Sequence, residues 1–176
     1  MNIQKIVDSL RQKHPLQMIG AELDAVDPSV EVKPDSVAGI CRTLKDDPQF
    51  CFDTLHCISA VDYCEPDEKK AAKVDWQPHI EVLYHISSIR HRHRIVIRVR
   101  LPRWKDGIEG RLPELPSVSG VWRTADWHER EVYDLSGVEF IGHPDLRRIL
   151  CADDWLGHPL RKDYTQPHEY HGINTR

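Results

Sequence analysis

Two short segments constrain this chain more than any other part of it. Residues 79–86 read HIEVLYHI and residues 94–101 read RIVIRVRL. Ile80, Val82, Tyr84 and Ile86 share one face of the first, and Ile95, Ile97, Val99 and Leu101 share one face of the second. The opposite faces carry His79, Glu81 and His85, and Arg94, Arg98 and Arg100. Strict alternation joined by a short polar link predicts an antiparallel hairpin. Its register is expected to set Glu81 opposite Arg98 as a cross-strand ion pair. The apolar face must be covered by something else. Ile3, Ile6, Val7 and Leu10 recur at helical spacing. So do Val37, Ile40, Cys41 and Leu44, behind the helix-start residues Pro34 and Asp35. The predicted fold class is therefore α+β, an antiparallel sheet covered by helices on one face, with an extended C-terminal tail. Residues 1–163 are expected to form a single domain and residues 164–176 the tail.

Further elements follow from the same rules. Val30 and Val32 alternate with charged residues, as in a short strand. Leu55–Val61 reads as a strand buried on both sides. CEPDEKKAAKVDWQP reads as a charged loop, and residues 102–116 as a loop rich in Gly and Pro. Val118, Val121, Trp122, Ala125, Val132 and Leu135 lie near a helical period. Asp126–Arg130 and Arg130–Asp134 are expected to pair one turn apart, worth about 0.2–0.5 kcal/mol each. Gly137 is placed to end this helix. VEFIG is expected to be extended and DLRRIL to form one helical turn. Beyond Trp155 periodicity fades.

Composition excludes some functions. The 176 residues contain no long apolar run, so no membrane span is expected. The charged N-terminus does not resemble a signal peptide, which points to the cytoplasm. A net charge of -4 argues against general nucleic-acid binding. The basic run at residues 90–100 lacks interleaved aromatics and reads as a solvated strand face. Cys41, Cys51, Cys57, Cys64 and Cys151 make an odd count without a CxxC pair, which fits packed or half-buried thiols.

The chain repeats Gly-His-Pro, at Gly142-His143-Pro144 and Gly157-His158-Pro159. With Asp145, Asp153 or Asp154 the two histidines could bind a metal, but the repeats read better as turns whose imidazoles bond to backbone. In HEREVYD (128–134), Glu129 lies beside the apolar stripe, and structural ion pairing is expected there rather than catalysis. There is no G-x-G-x-x-G fingerprint and no phosphate-cradling loop. Arg147, Arg148 and Arg161, with Trp122, Trp127 and Trp155, are residue types favoured at protein–protein contacts. The C-terminal half reads as a rigid platform for a partner.

At these residues a family resemblance emerges. Glu129-Arg130-Glu131-x-Tyr133-Asp134 is followed by Gly142-His143-Pro144-Asp145-Leu146-Arg147-Arg148-Ile149-Leu150. Gly157-His158-Pro159-Leu160-Arg161-Lys162-Asp163 comes next. This pattern closely resembles the C subunit of NADH-quinone oxidoreductase, respiratory complex I, whose mitochondrial counterpart is the 30 kDa subunit. It covers about a quarter of the chain tightly. Ser136 departs from it, standing where family members usually have an apolar residue. The resemblance implies an α+β subunit of the peripheral arm, on the cytoplasmic face of the membrane and attached to the membrane only through the complex. It implies no catalytic, cofactor-binding or metal residues in this chain; FMN, iron–sulfur clusters and quinone belong to other subunits. The implied partners are the D (49 kDa) subunit, the B subunit and other peripheral-arm subunits. The implied interface comprises Glu129, Arg130, Glu131, Tyr133, Asp134, Gly142, His143, Pro144, Asp145, Arg147, Arg148, Trp155, Gly157, His158, Pro159, Arg161, Lys162 and Asp163, and the chain is expected to be a free C subunit rather than one fused to D. A membrane-bound hydrogenase or deazaflavin-linked dehydrogenase, which reuse this module, is the alternative setting.

Overall fold

The alternating segments pair as β4 (His79–Ser88) and β5 (His93–Pro102), at the heart of a five-stranded sheet. The computed structural model describes residues 3–175. It adds β1 (Met18–Glu22), β2 (Ser29–Val32) and β3 (Thr54–Tyr63), giving the order β1-β2-β5-β4-β3. Every neighbouring pair is antiparallel except β2 with β5. All eight apolar residues of the hairpin face are buried. Helices α1 (Ile3–Lys13) and α2 (Val37–Asp46) cover them, contributing Ile6, Val7 and Leu10, and Val37, Ile40, Cys41 and Leu44, to one continuous core. The predicted α+β class holds.

The register differs from the sequence expectation. Glu81 stands opposite Arg100, and Arg98 stands opposite Leu83. Arg100 Nη2 donates to Glu81 at 3.0 Å, while Arg98 reaches across to Glu31 at 3.4 Å. The reason is geometric. A slip of two residues keeps every apolar side chain on the same face, so alternation alone does not choose between the two registers. Pairing extends to Ser88 opposite His93, and the length of the turn between them makes the choice.

Other elements are corrected by local bonding. β3 is an edge strand, and Leu55 and Ile58 are buried while His56 and Val61 are exposed. A bulge between Leu55 and Cys57 shifts its alternation. The charged loop contains α3 (Glu68–Ala71), capped by Asp67, which accepts from Lys69 N at 2.9 Å. The Gly- and Pro-rich loop ends in β6 (Glu114–Pro116). This runs parallel to β7 (Glu139–Ile141), the extended piece expected at VEFIG. Between them lies α4 (Ala125–Ser136), which packs on β3. It starts later than the spacing predicts: Val118, Val121 and Trp122 are buried in successive turns, with Trp122 N bonded to Val118 O. DLRRIL forms no helix. The tail turns back as a small hairpin of β8 (Glu169–Tyr170) and β9 (Ile173–Asn174).

A double-mutant cycle tests the register. Glu81→Ala with Arg100→Ala is expected to show a coupling of about 0.5–1 kcal/mol in urea melts. Glu81→Ala with Arg98→Ala should be nearly additive; the reverse pattern would refute the pairing.

Candidate functional site

α4 is the post to which the motif residues attach. At its C-terminal end Asp134 is fully buried. Its Oδ2 accepts from the backbone N–H of Ile149 at 3.0 Å, Leu150 at 2.7 Å and Cys151 at 2.9 Å, and Oδ1 accepts from Arg148 Nη1 at 2.6 Å. Burial alone would raise this carboxyl's pKa. The three amides and the guanidinium outweigh burial and bring it to about 2. This explains the missing helical turn at DLRRIL, because its amides converge on one carboxylate. It also explains why Asp134 is not the partner of Arg130. That arginine pairs with Asp126 at 2.6 Å, as expected, and lies over the exposed Trp127 ring.

The helix ends at Gly137, whose φ of 69° is left-handed. A Cβ there would lie 2.6 Å from the His158 ring, so both backbone and neighbour require glycine. His158 Nδ1 bonds to the Asp134 carbonyl at 3.0 Å. A carbonyl only accepts, so Nδ1 carries the proton. Arg161 is buried beside it. Its guanidinium donates to the carbonyls of Ser136 at 2.6 Å, Gly137 at 2.9 Å and Arg103 at 3.0 Å, and lies over Trp104. It thus caps carbonyls that a helix end leaves open, with the charge that its dipole favours. Alongside, Arg103 forks onto Asp62 at 2.8 and 2.9 Å and reaches Asp163 at 2.8 Å. Asp62 also accepts from Lys162 N at 2.9 Å. Arg103 and Trp104 escaped sequence reasoning, because they sit in a loop without periodicity far from the motif.

His143 is at the other end of α4. Its Nε2 donates to the Asp126 carbonyl at 3.1 Å, and its Nδ1 accepts from Asp145 N at 3.0 Å. The two Gly-His-Pro corners therefore grip carbonyls eight residues apart, about 12 Å along the helix. They are turns that bond to backbone, and the two rings do not converge. Among the described residues, no group of three or more His, Cys, Asp or Glu is placed to hold a metal ion.

Glu129 departs from the expected ion pairing. It is fully buried and accepts from Val118 N at 2.6 Å and Ser117 Oγ at 2.6 Å. Burial raises its pKa to about 7; the two donors oppose the shift and Asp126 adds to it.

The interface residues proposed from sequence thus differ widely in exposure. Glu129, Arg130, Asp134 and Arg161 are buried within this chain, and His143, Arg148 and His158 are spent on it. Tyr133 and Pro159 are half-buried. Trp155 packs against Tyr170 of the tail, with ring centroids 4.9 Å apart. Glu131, Gly142, Pro144, Asp145, Arg147, Gly157, Lys162 and Asp163 are exposed. So are Leu150, Leu156 and Leu160, which the motif reading passed over as interface residues.

Residues 30–170 match the family described as respiratory-chain NADH dehydrogenase, 30 Kd subunit. A relative in Roseiflexus sp. (strain RS-1), named as the C subunit of NADH-quinone oxidoreductase, is 37% identical over 158 residues, or 90% of this chain and 81% of that protein. One of the same name in Chlorobium phaeobacteroides is 43% identical over 140 residues, 79% of this chain and 74% of that protein. The fold also matches a chain of a membrane-bound sulfane sulfur reductase, an archaeal respiratory membrane complex. That match has a TM-score of 0.69 and 24% identity, and covers 92% of this chain and 85% of the other. The chain belongs to the 30 Kd subunit family of respiratory-chain NADH dehydrogenase. Among the described residues no helix is long and apolar enough to cross a membrane.

Asp134→Asn is expected to lower stability by about 3 kcal/mol at neutral pH, because it leaves Arg148 and three backbone amides poorly matched. A depressed carboxyl stabilises the fold above its unfolded pKa. The wild type's advantage over the variant should therefore shrink as pH falls from 3.8 towards about 2. Chemical melts across that range check the sign; an advantage that grows on acidification would contradict the assignment.

Proposed function

We propose that this chain is a non-catalytic assembly subunit of a proton-translocating NADH-quinone oxidoreductase, docking through residues 142–164 onto the D (49 kDa) subunit near the quinone module. One observation carries the reading. A segment with almost no regular secondary structure is tied to α4 by Asp134, His143, Arg148, His158 and Arg161. It nevertheless turns Leu150, Leu156 and Leu160 outward at 62%, 83% and 58% exposure. A pre-ordered loop loses little entropy on binding, and exposed apolar side chains on it gain from burial. That combination suits a permanent contact with another protein.

On this reading the buried motif residues shape the platform and the exposed ones meet the partner. Arg161 supports the platform from inside, so replacing it should unfold the segment rather than merely weaken docking. The chain itself holds no cofactor. Electrons pass through FMN, iron–sulfur clusters and quinone on other subunits, and this subunit sits peripherally on the cytoplasmic face, held by the D and B subunits.

Affinity purification from native membranes tests the assignment. The D subunit and the NADH-oxidising subunits are expected to co-purify; a nickel-site large subunit in their place would assign the chain to a hydrogenase-type complex. NADH oxidation or quinone reduction by the chain alone would end the non-catalytic reading. Leu156→Asp with Leu160→Asp should leave the thermal melt within a few degrees of wild type while abolishing co-purification. Retained co-purification would place the contact elsewhere.

A further inference from the structure

Among the described residues, no lysine or arginine is bound to the buried carboxyl of Glu129. Its oxygens meet Ser117 Oγ and Val118 N, both neutral donors. The groups around it do not supply the missing charge. On its own helix is Asp126, an anion. From the segment after β7 comes the His143 ring, with Nε2 3.9 Å away. That nitrogen is directed to the Asp126 carbonyl, and Nδ1 already accepts from Asp145 N, so the ring's bonds are those of the neutral imidazole. From α2 and β4 come Cys41 and Tyr84. Both are fully buried groups that burial keeps protonated.

The hydroxyls beside the carboxyl form a chain. Ser117 Oγ lies 2.6 Å from Glu129 Oε2 and 2.7 Å from Ser119 Oγ. Ser119 in turn lines a recess of about 460 Å3, open to solvent and shared with Arg123, Asp126 and Trp127. This chain can be satisfied in two directions. With Glu129 ionised, Ser119 donates to Ser117, which donates to the carboxylate. With Glu129 protonated, the acid donates to Ser117, which donates to Ser119. In both states the Ser119 amide donates to Ser117 Oγ, at 3.1 Å.

We propose that Glu129, Ser117 and Ser119 form a proton-binding site, in which the buried carboxyl takes a proton from the recess through the two hydroxyls and holds it as a neutral acid. In uptake each hydroxyl passes on its own proton and receives another. One proton enters at Ser119, one arrives on Glu129 Oε2, and both hydroxyls end neutral. No main-chain bond has to break, because Val118 N can donate to the carbonyl oxygen of the acid as well as to the carboxylate. The site therefore stores a proton without loosening the anchor of the turn at residues 117–119. Desolvation, which penalises only the charged form, favours the loaded state.

The test is a pH titration of the full chain with its glutamate side chains labelled with 13C, following the Glu129 carboxyl resonance between about pH 5 and pH 9. The expected midpoint lies near neutrality, well above the range usual for exposed glutamates. A Glu129 resonance that titrates with the exposed glutamates, or that stays ionised throughout, would overturn the site. Ser117→Ala should move the midpoint further up, since the ionised form loses a donor; a midpoint that falls or stays put contradicts the chain. Ser119→Ala should leave the midpoint in place but slow proton exchange several-fold in the line shape, and an unchanged rate would refute the route. If either variant fails to fold, the wild-type titration still decides whether the carboxyl binds a proton.

Discussion

A single carboxylate organises the C-terminal half of the molecule. Asp134 is buried, which is costly for a charge, and the cost is offset only because three backbone amides and one guanidinium converge on it. The consequence reaches well beyond that contact. Residues 148–151 are drawn onto the end of α4, where Arg148 also bonds to the Gly157 carbonyl. His158 then packs over Gly137, and Arg161 enters to close the helix end. All of these contacts lie within one returning segment, residues 148–161.

About one and a half turns earlier, the same helix solves the opposite problem. Glu129 is equally buried, yet only neutral groups donate to it, and its pKa moves up where that of Asp134 moves down. Five residues apart, one carboxyl is held as an anion and the other near its midpoint at neutral pH. Identical chemistry diverges because one site presents a guanidinium and converging amides and the other presents a hydroxyl, one amide and a nearby anion. The motif Glu-Arg-Glu-x-Tyr-Asp is thus mostly an interior device. Its first and last acidic residues each anchor a separate irregular segment, and only Glu131 is left facing out.

This division bears on function. A surface made of loops would ordinarily be soft, and ordering it on contact would consume binding energy. Here the ordering is done inside the subunit by buried polar residues. On the proposed reading, the exposed leucines on the outer side of the same segment meet a neighbour. The buried motif residues are, on that reading, the scaffolding of a surface, and the surface is carried by Leu150, Leu156 and Leu160 together with the exposed motif residues.

Much of this was legible in the sequence. Alternation in residues 79–86 and 94–101 determined two strands and which side of each is buried. Helical spacing determined α1 and α2 with their core residues, and Gly137 marked the end of α4. The twin Gly-His-Pro corners were readable as turns, because Gly and Pro act through local dihedrals. Tertiary structure decided the rest. A two-residue slip leaves the apolar face intact, so only the pairing geometry selected Glu81 with Arg100. The fate of a charge depends on groups brought close by folding: Arg103 and Trp104 come to Arg161 from nearly sixty residues away, and the amides of 149–151 come to Asp134 from the far side of a turn. Period and propensity act over a few neighbours, whereas a buried charge is settled by whatever the whole chain packs around it.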